Sequence, residues 1–151
     1  MAGVSADAEC SDAGCSNAEH VISHASLASL AVALALRHLH SRGIVYRDLK
    51  PENLVLDDRG RPKIVDMGYA VVAGSKPLRG VAGTFEYMAP EMIAMRDHGA
   101  PADVWAFGVL LYELLSGKTP FASDGPEHDP ARAVMTGHAV RERRRLQRAV
   151  C

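Results

Sequence analysis

Tyr46-Arg47-Asp48-Leu49-Lys50-Pro51-Glu52-Asn53 is the stretch from which the rest of the 151-residue chain can be read. Asp48 supplies a carboxylate that can accept a proton. Lys50, two residues on, is a cation on the same side of an extended chain. Asn53 offers an amide oxygen suited to a hard metal ion. Pro51 disfavours helix for Lys50, so the segment reads as a loop. A carboxylate base, a phosphate-neutralising ammonium and a metal ligand on one loop are the groups that phosphoryl transfer requires.

Two further strings follow. Leu54-Val55-Leu56, Asp57-Asp58-Arg59-Gly60 and Lys63-Ile64-Val65 read as strand, turn and strand. Asp66-Met67-Gly68 closes the second strand. The hairpin is expected to set Asn53 and Asp66 at opposite ends of a pair of neighbouring strands, where both serve one metal cluster. The last string is Gly83-Thr84-Phe85-Glu86-Tyr87-Met88-Ala89-Pro90-Glu91.

Together the three strings resemble the catalytic loop, the metal-binding Asp-Phe-Gly and the Ala-Pro-Glu anchor of eukaryotic Ser/Thr protein kinases. The likeness is nearest to the AGC group and its cyclic-nucleotide-dependent members. Tyr46 stands where most of that family has His, and Met67 where it has Phe. The resemblance implies that Asp48 accepts or orients the proton of a substrate hydroxyl. It implies that Lys50 neutralises the γ-phosphate of ATP and that Asn53 and Asp66 hold Mg2+. Met67 is expected to fill the apolar slot of the family's Phe. Val55 and Leu110 are expected to touch the nucleotide.

By the same resemblance Thr84 bonds Asp48 and Lys50 and favours Ser/Thr over Tyr substrates. Glu52 and Glu113 match positions that bind arginine N-terminal to the phosphoacceptor. With Glu86 of the substrate-facing string, they imply a protein substrate with basic residues near the phosphoacceptor. Gly80 stands where the cyclic-nucleotide-dependent kinases carry a phosphorylated Thr, so Arg47 lacks the matching phosphate. Residues 69–82 read as a mobile loop, with Ser75 the one Ser or Thr between Gly68 and Thr84. Glu91 is expected to lack the downstream Arg that partners it in the family.

Asp103 to Gly117 reads as a helix apolar over nearly its whole circumference, N-capped by Asp103. The resemblance makes it the central helix of the large lobe and ties Asp103 to the backbone near Tyr46 and Arg47. Val21 to Arg42, rich in Ala and Leu, reads as a second buried helix stopped by Gly43. His38 and His40 fall near its end, where a cation suits the helix dipole. Residues 1–20 carry almost no large apolar side chain and read as a disordered tail. Asp129–Gly137 reads as a short helix. Arg141, Arg143, Arg144, Arg145 and Arg148 make a basic end that reads as a solvated face.

Composition agrees with one globular domain: 48% hydrophobic, 23% charged, net charge −1. That balance gives no case for nucleic-acid binding. Cys10, Cys15 and Cys151 are odd in number and badly placed for a disulfide framework, which points to an intracellular, cytoplasmic protein. The longest apolar run, Leu27–Leu36, is about half of what a membrane span needs.

No G-x-G-x-x-G and no lysine precede Tyr46. The reading is therefore a mainly α (α+β) fold, a kinase-like large-lobe fragment with one small antiparallel hairpin and the small lobe absent. It divides into a tail 1–20, a partial kinase domain 21–138 and a basic tail 139–151. The expected function is ATP- and Mg2+-dependent transfer to Ser/Thr of basic proteins, weak in this chain alone. A partner is expected to supply or cover the missing lobe. The alternative is a non-catalytic, kinase-like interaction or regulatory module. A small-molecule phosphotransferase would not be expected to carry the Thr84–Glu91 string.

Overall fold

The computed structural model describes residues 28–74, 77–122 and 134–135. The tail 1–20 with Cys10 and Cys15, the start of the helix expected from Val21, Ser75, Cys151 and the basic end lie outside the described residues. So does most of the helix expected over Asp129–Gly137, of which Val134 and Met135 are helical.

Helix α1 spans residues 28–40 and buries Val32 and Leu36. These lie four apart, on one face of a helix. Its last turn tightens, with Arg42 N donating to Leu39 O and Gly43 N to His40 O. Gly43, at φ 70°, then turns the chain into strand β1, Ile44–Val45.

The catalytic-loop string follows β1 without regular structure until a 3-10 turn at Pro51–Asn53. Strand β2, Leu54–Leu56, pairs antiparallel with β3, Pro62–Ile64, with Leu54 opposite Ile64. The Asp57 carboxylate organises the connection. It accepts from the amides of Arg59 and Arg61 and from the Arg61 side chain. Those donors, the Arg61 side chain first, hold its carboxyl well below the usual range.

Antiparallel pairing corrects one expectation. The start of β2 lies beside the end of β3, so Asn53 and Asp66 flank the same end of the hairpin. Val65 N donating to Asn53 O at 2.9 Å closes that end.

A second pairing was not legible. Strand β4, Val71–Val72, lies inside the stretch read as a mobile loop and pairs antiparallel with β1, Val45 opposite Val71. Two residues are too few to give an alternation signal. Farther along, Leu78 bridges His98, and Arg79 pairs with Asp97 at 2.5 Å.

Thr84 leads into a 3-10 turn at Phe85–Tyr87, then helix α2, Pro90–Ile93, with Pro at its first position. Helix α3 runs from Ala100 to Ser116 and ends on left-handed Gly117. Its N-cap is Gly99, not Asp103, which sits in the first turn. Asp103 is drawn away from capping by a stronger task described below.

The core gathers around α3. Val32, Leu36, Tyr46, Leu49, Tyr87, Ala106, Val109, Leu110, Phe121 and Val134 form one cluster. Ala82, Met88, Ala89, Met92 and Ala102 form a second, and Ile93 and Trp105 pack against both. Trp105 stacks on Phe121 with centroids 5.9 Å apart. Only one face of α3 is buried: Ala102, Asp103, Ala106, Val109 and Leu110. Val104, Leu114 and Leu115 are exposed, because no described element covers the opposite face. Leu110 is wholly enclosed in the core, so it cannot touch a nucleotide.

Asp103 joins these layers. Its carboxylate, fully removed from solvent, accepts from Tyr46 N at 2.9 Å, Arg47 N at 2.7 Å and His40 Nε2 at 2.7 Å. Asp103→Ala strands two buried amides and is expected to cost about 3 kcal/mol or more. Urea unfolding with an unchanged slope measures it; a loss below about 1 kcal/mol would show the tie to be dispensable.

Candidate functional site

Arg47 has φ 69°, in the left-handed region that side chains seldom occupy. The Asp103 carboxylate accepts the Arg47 amide, which holds this turn in place. The turn sends Asp48 inward, where it is 95% buried. Three side chains converge on it. Thr84 Oγ1 donates to Asp48 Oδ1 at 3.2 Å, and Asn53 Nδ2 donates to Oδ2 at 2.8 Å. Lys50 Nζ lies 3.3 Å from Oδ2 and donates to Thr84 Oγ1 at 2.9 Å.

These contacts close a ring. Thr84 Oγ1 receives a proton from a cation and offers one to a carboxylate, so its hydroxyl is polarised along one direction. Thr84 bonds both Asp48 and Lys50, as expected from its string. Asn53 is held twice, since Nδ2 also donates to Asp48 O at 2.8 Å. Its amide is thereby oriented, with Oδ1 as the acceptor atom.

Asp66 follows Val65, whose amide bonds Asn53, so both residues stand at the open end of the hairpin. Asp66 is exposed and left-handed, φ 59°, and its Oδ1 accepts from Gly68 N at 2.9 Å. Asn53 and Asp66 offer oxygen donors only. Magnesium suits such a pair, because it takes few protein ligands and keeps water and phosphate oxygens for the rest. Among the described residues no group of three or more His, Cys, Asp or Glu could hold a metal.

Tyr46 lies under this end and was missed as more than a variant of His. It is fully buried, and its hydroxyl donates to Val65 O at 2.6 Å. Burial, then the nearby charge of Asp48, with smaller effects of Asp66 and Asp103, pushes the hydroxyl up to about 12. One phenol thus senses all three carboxylates.

Met67 does not enter an apolar slot; it is about half exposed, because no second wall faces it among the described residues. Val55 is 51% exposed on β2. The Arg47 guanidinium, without a loop phosphate, donates from Nε to Tyr69 O at 2.8 Å. Glu91 lines an open cleft of about 580 Å³ with Arg79, Met95, Arg96 and Asp97, and makes no ion pair among the described residues.

A second acidic group surrounds Tyr87. Its buried hydroxyl donates to Glu113 Oε2. Burial, the Glu113 hydrogen bond and charge, and the charges of Glu52 and Glu86 all raise its pKa well above the usual tyrosine range. The sequence places these glutamates on a loop, a turn and a helix; the fold brings them to one phenol.

Gly83 is the other residue that sequence reasoning passed over. It has φ 89°, and a Cβ there would lie 2.3 Å from Arg47 O and 3.1 Å from Asp48 Oδ1. The close approach is what lets Thr84 reach Asp48. Gly83→Ala is expected to cost about 2–4 kcal/mol. Gly80→Ala, at φ 96° but with nothing within 4 Å, is expected to cost only the backbone strain. Equal costs by chemical denaturation would refute the crowding at Gly83.

The phenols give a pH prediction. The fold holds the Tyr46 proton more tightly than the unfolded chain does. Its stabilisation is complete below pH 10 and is lost as pH rises from 10 towards about 12. Thermal unfolding across that window should show a steep decline, shallower in Tyr46→Phe. Tyr87 acts in the same direction in both proteins, so the difference isolates Tyr46. Identical slopes would contradict the burial of this hydroxyl.

A family model described as the protein kinase domain matches residues 12–148. Ribosomal protein S6 kinase alpha-2 of Homo sapiens is 52% identical over 92 residues, which is 60% of this chain and 13% of that protein. Developmentally-regulated protein kinase 1 of Dictyostelium discoideum is 47% identical over 94 residues, 61% of this chain and 13% of its own. The cGMP-dependent protein kinase, isozyme 1, of Drosophila melanogaster is 51% identical over 96 residues, 63% and 12% respectively. The aligned part of the chain thus spans only 12–13% of the length of these relatives. A family match over most of the chain, coinciding with the ring around Asp48, makes this chain a member of the protein kinase family, nearest in kind to the Ser/Thr kinases of the AGC group.

Proposed function

We propose that the chain carries the catalytic and substrate-facing floor of an ATP- and magnesium-dependent serine/threonine kinase acting on basic proteins in the cell interior. The observation that carries this reading is the ring of Asp48, Thr84, Lys50 and Asn53. Asp48 accepts or orients the proton of the attacking hydroxyl. Lys50 lies beside Asp48 and offsets charge on the γ-phosphate. Thr84 holds Asp48 and Lys50 in register and favours a Ser or Thr acceptor.

Asn53 and Asp66 would hold magnesium, which when bound would supply positive charge to offset the phosphates of ATP. Val55 gives the nucleotide an apolar contact. Glu52, Glu86 and Glu113, whose combined charge is sensed at Tyr87, form an acidic field that attracts arginine near the phosphoacceptor. The domain proper is taken as residues 21–138.

The hairpin and the segments around it expose apolar side chains. Val55, Leu56, Met67 and Val72 are all exposed. A wet site weakens electrostatic stabilisation of the transferring phosphate. Transfer by this chain by itself is therefore slow, and a further protein surface covers the hairpin when the site works. The same exposed apolar side chains support the second reading, a non-catalytic module that binds a partner through them.

Magnesium and ATP together are expected to raise the thermal midpoint of the full 151-residue chain by several degrees. Asp66→Asn should abolish the rise while leaving the ligand-free midpoint unchanged. A shift indifferent to magnesium, or none, favours the module. Any transfer to an arginine-containing serine peptide should fall about 100-fold in Asp48→Asn; an undiminished rate overturns the role of Asp48.

A further inference from the structure

We propose that the arginine run of this chain, Arg141–Arg148, docks on the glutamates around Tyr87 and keeps other basic segments off the substrate surface. The inference deepens the reading of Glu52, Glu86 and Glu113 as an arginine-binding surface beside Asp48, and its regulatory consequence rests on that reading. The docking itself does not require that the chain transfer phosphate.

The glutamates adjoin the ring around Asp48 at two points. Glu52 precedes Asn53, which donates to Asp48, and Glu86 lies two residues past Thr84, which also donates to it. Glu113 comes in from α3 and accepts from the Tyr87 hydroxyl. Glu52 is exposed, and Glu86 and Glu113 are half-buried. Among the described residues none of the three makes an ion pair. Lys50, the cation nearest to Glu52 in sequence, is engaged with Asp48 and Thr84. Like charges gathered on one surface repel, and a segment with several cations relieves them together.

The chain carries such a segment. Residues 141–148 read Arg-Glu-Arg-Arg-Arg-Leu-Gln-Arg, five arginines against one glutamate and no lysine. Guanidinium groups bind carboxylates through paired, parallel hydrogen bonds, which an ammonium cannot match. The run is also tethered within reach. Val134 is buried in the same apolar cluster as Tyr87. Arg141 follows it by seven residues, a stretch that spans at most about 25 Å. Such a tether raises the effective concentration of the arginines at the glutamates to about the millimolar range, against which an incoming arginine must compete.

The site cannot consume this occupant. From Arg141 to Cys151 there is no Ser, Thr or Tyr, and Ala149, which follows the last arginine, offers a methyl group and no hydroxyl. The docked run therefore stays in place until salt or a more basic segment displaces it.

The test uses the full chain with Cys10 and Cys15 replaced by Ser and a nitroxide on Cys151, and it needs no ATP. The amide NMR signals of Glu52, Glu86 and Glu113 should broaden under the label. Replacing Arg141, Arg143, Arg144, Arg145 and Arg148 by Gln should remove the broadening. Sodium chloride at about 0.5 M, which shortens the range of charge attraction, should do the same to the chain with its arginines in place. Labelled chain mixed with isotope-enriched, unlabelled chain should give no broadening, because the contact is made within one molecule. No broadening with the arginines in place, broadening that survives the Gln replacement, or broadening that passes to the second molecule overturns the proposal. If the Gln-replaced chain does not fold, the salt series decides. Where transfer to an arginine-containing serine peptide is measured, the Gln replacement should lower KM about tenfold with kcat unchanged. An unchanged KM overturns the shielding of the surface. A chain that shows the broadening yet neither binds magnesium-ATP nor transfers phosphate counts against the kinase function alone and leaves the docking standing.

Discussion

A single buried carboxylate sets the shape of the catalytic loop. Asp103 has no access to water, so its charge is tolerable only while protein donors surround it. Those donors are the amides of Tyr46 and Arg47 and the imidazole of His40. The requirement acts in both directions. The helix cannot bury Asp103 without the loop, and the loop cannot hold Arg47 in a left-handed conformation without Asp103. Core packing and site geometry are thereby the same constraint.

From that anchor the polar ring follows at short range. Asp48 is turned inward, Thr84 and Asn53 donate to its two oxygens, and Lys50 bridges. Gly83 matters because a side chain there would collide with Arg47 O. The result is a carboxylate whose position is fixed by its neighbours. The metal-facing end is built differently. Asn53 is pinned from behind, while Asp66 stands exposed beside it at the open end of the hairpin, where ligand oxygens can join. One half of the site is thus held by hydrogen bonds within the protein, and the other is open to solvent.

The chain also separates two acidic fields. One, around Tyr46, gathers Asp48, Asp66 and Asp103. The other, around Tyr87, gathers Glu113, Glu52 and Glu86. In each, burial and the nearby negative charge favour the protonated phenol.

The strings at Tyr46–Asn53, Asp66–Gly68 and Gly83–Glu91 determined the family, because chemistry-bearing residues at fixed short spacings are written locally. The helix around Asp103, the hairpin and the bond from Asp103 to the Tyr46 and Arg47 backbone were legible for the same reason. Tertiary structure alone decided what depends on distant segments meeting. It set Asn53 and Asp66 at one end of the hairpin, since strand direction is fixed only on pairing. It made β4 from two residues of a supposed loop, removed Leu110 from the nucleotide side by burying it in the core, and left Met67 at the surface, with no facing wall among the described residues. It brought His40 to Asp103 across sixty-three residues, a contact that no periodicity or spacing encodes, because a lone histidine at a helix end has many possible neighbours and only the packed chain chooses one.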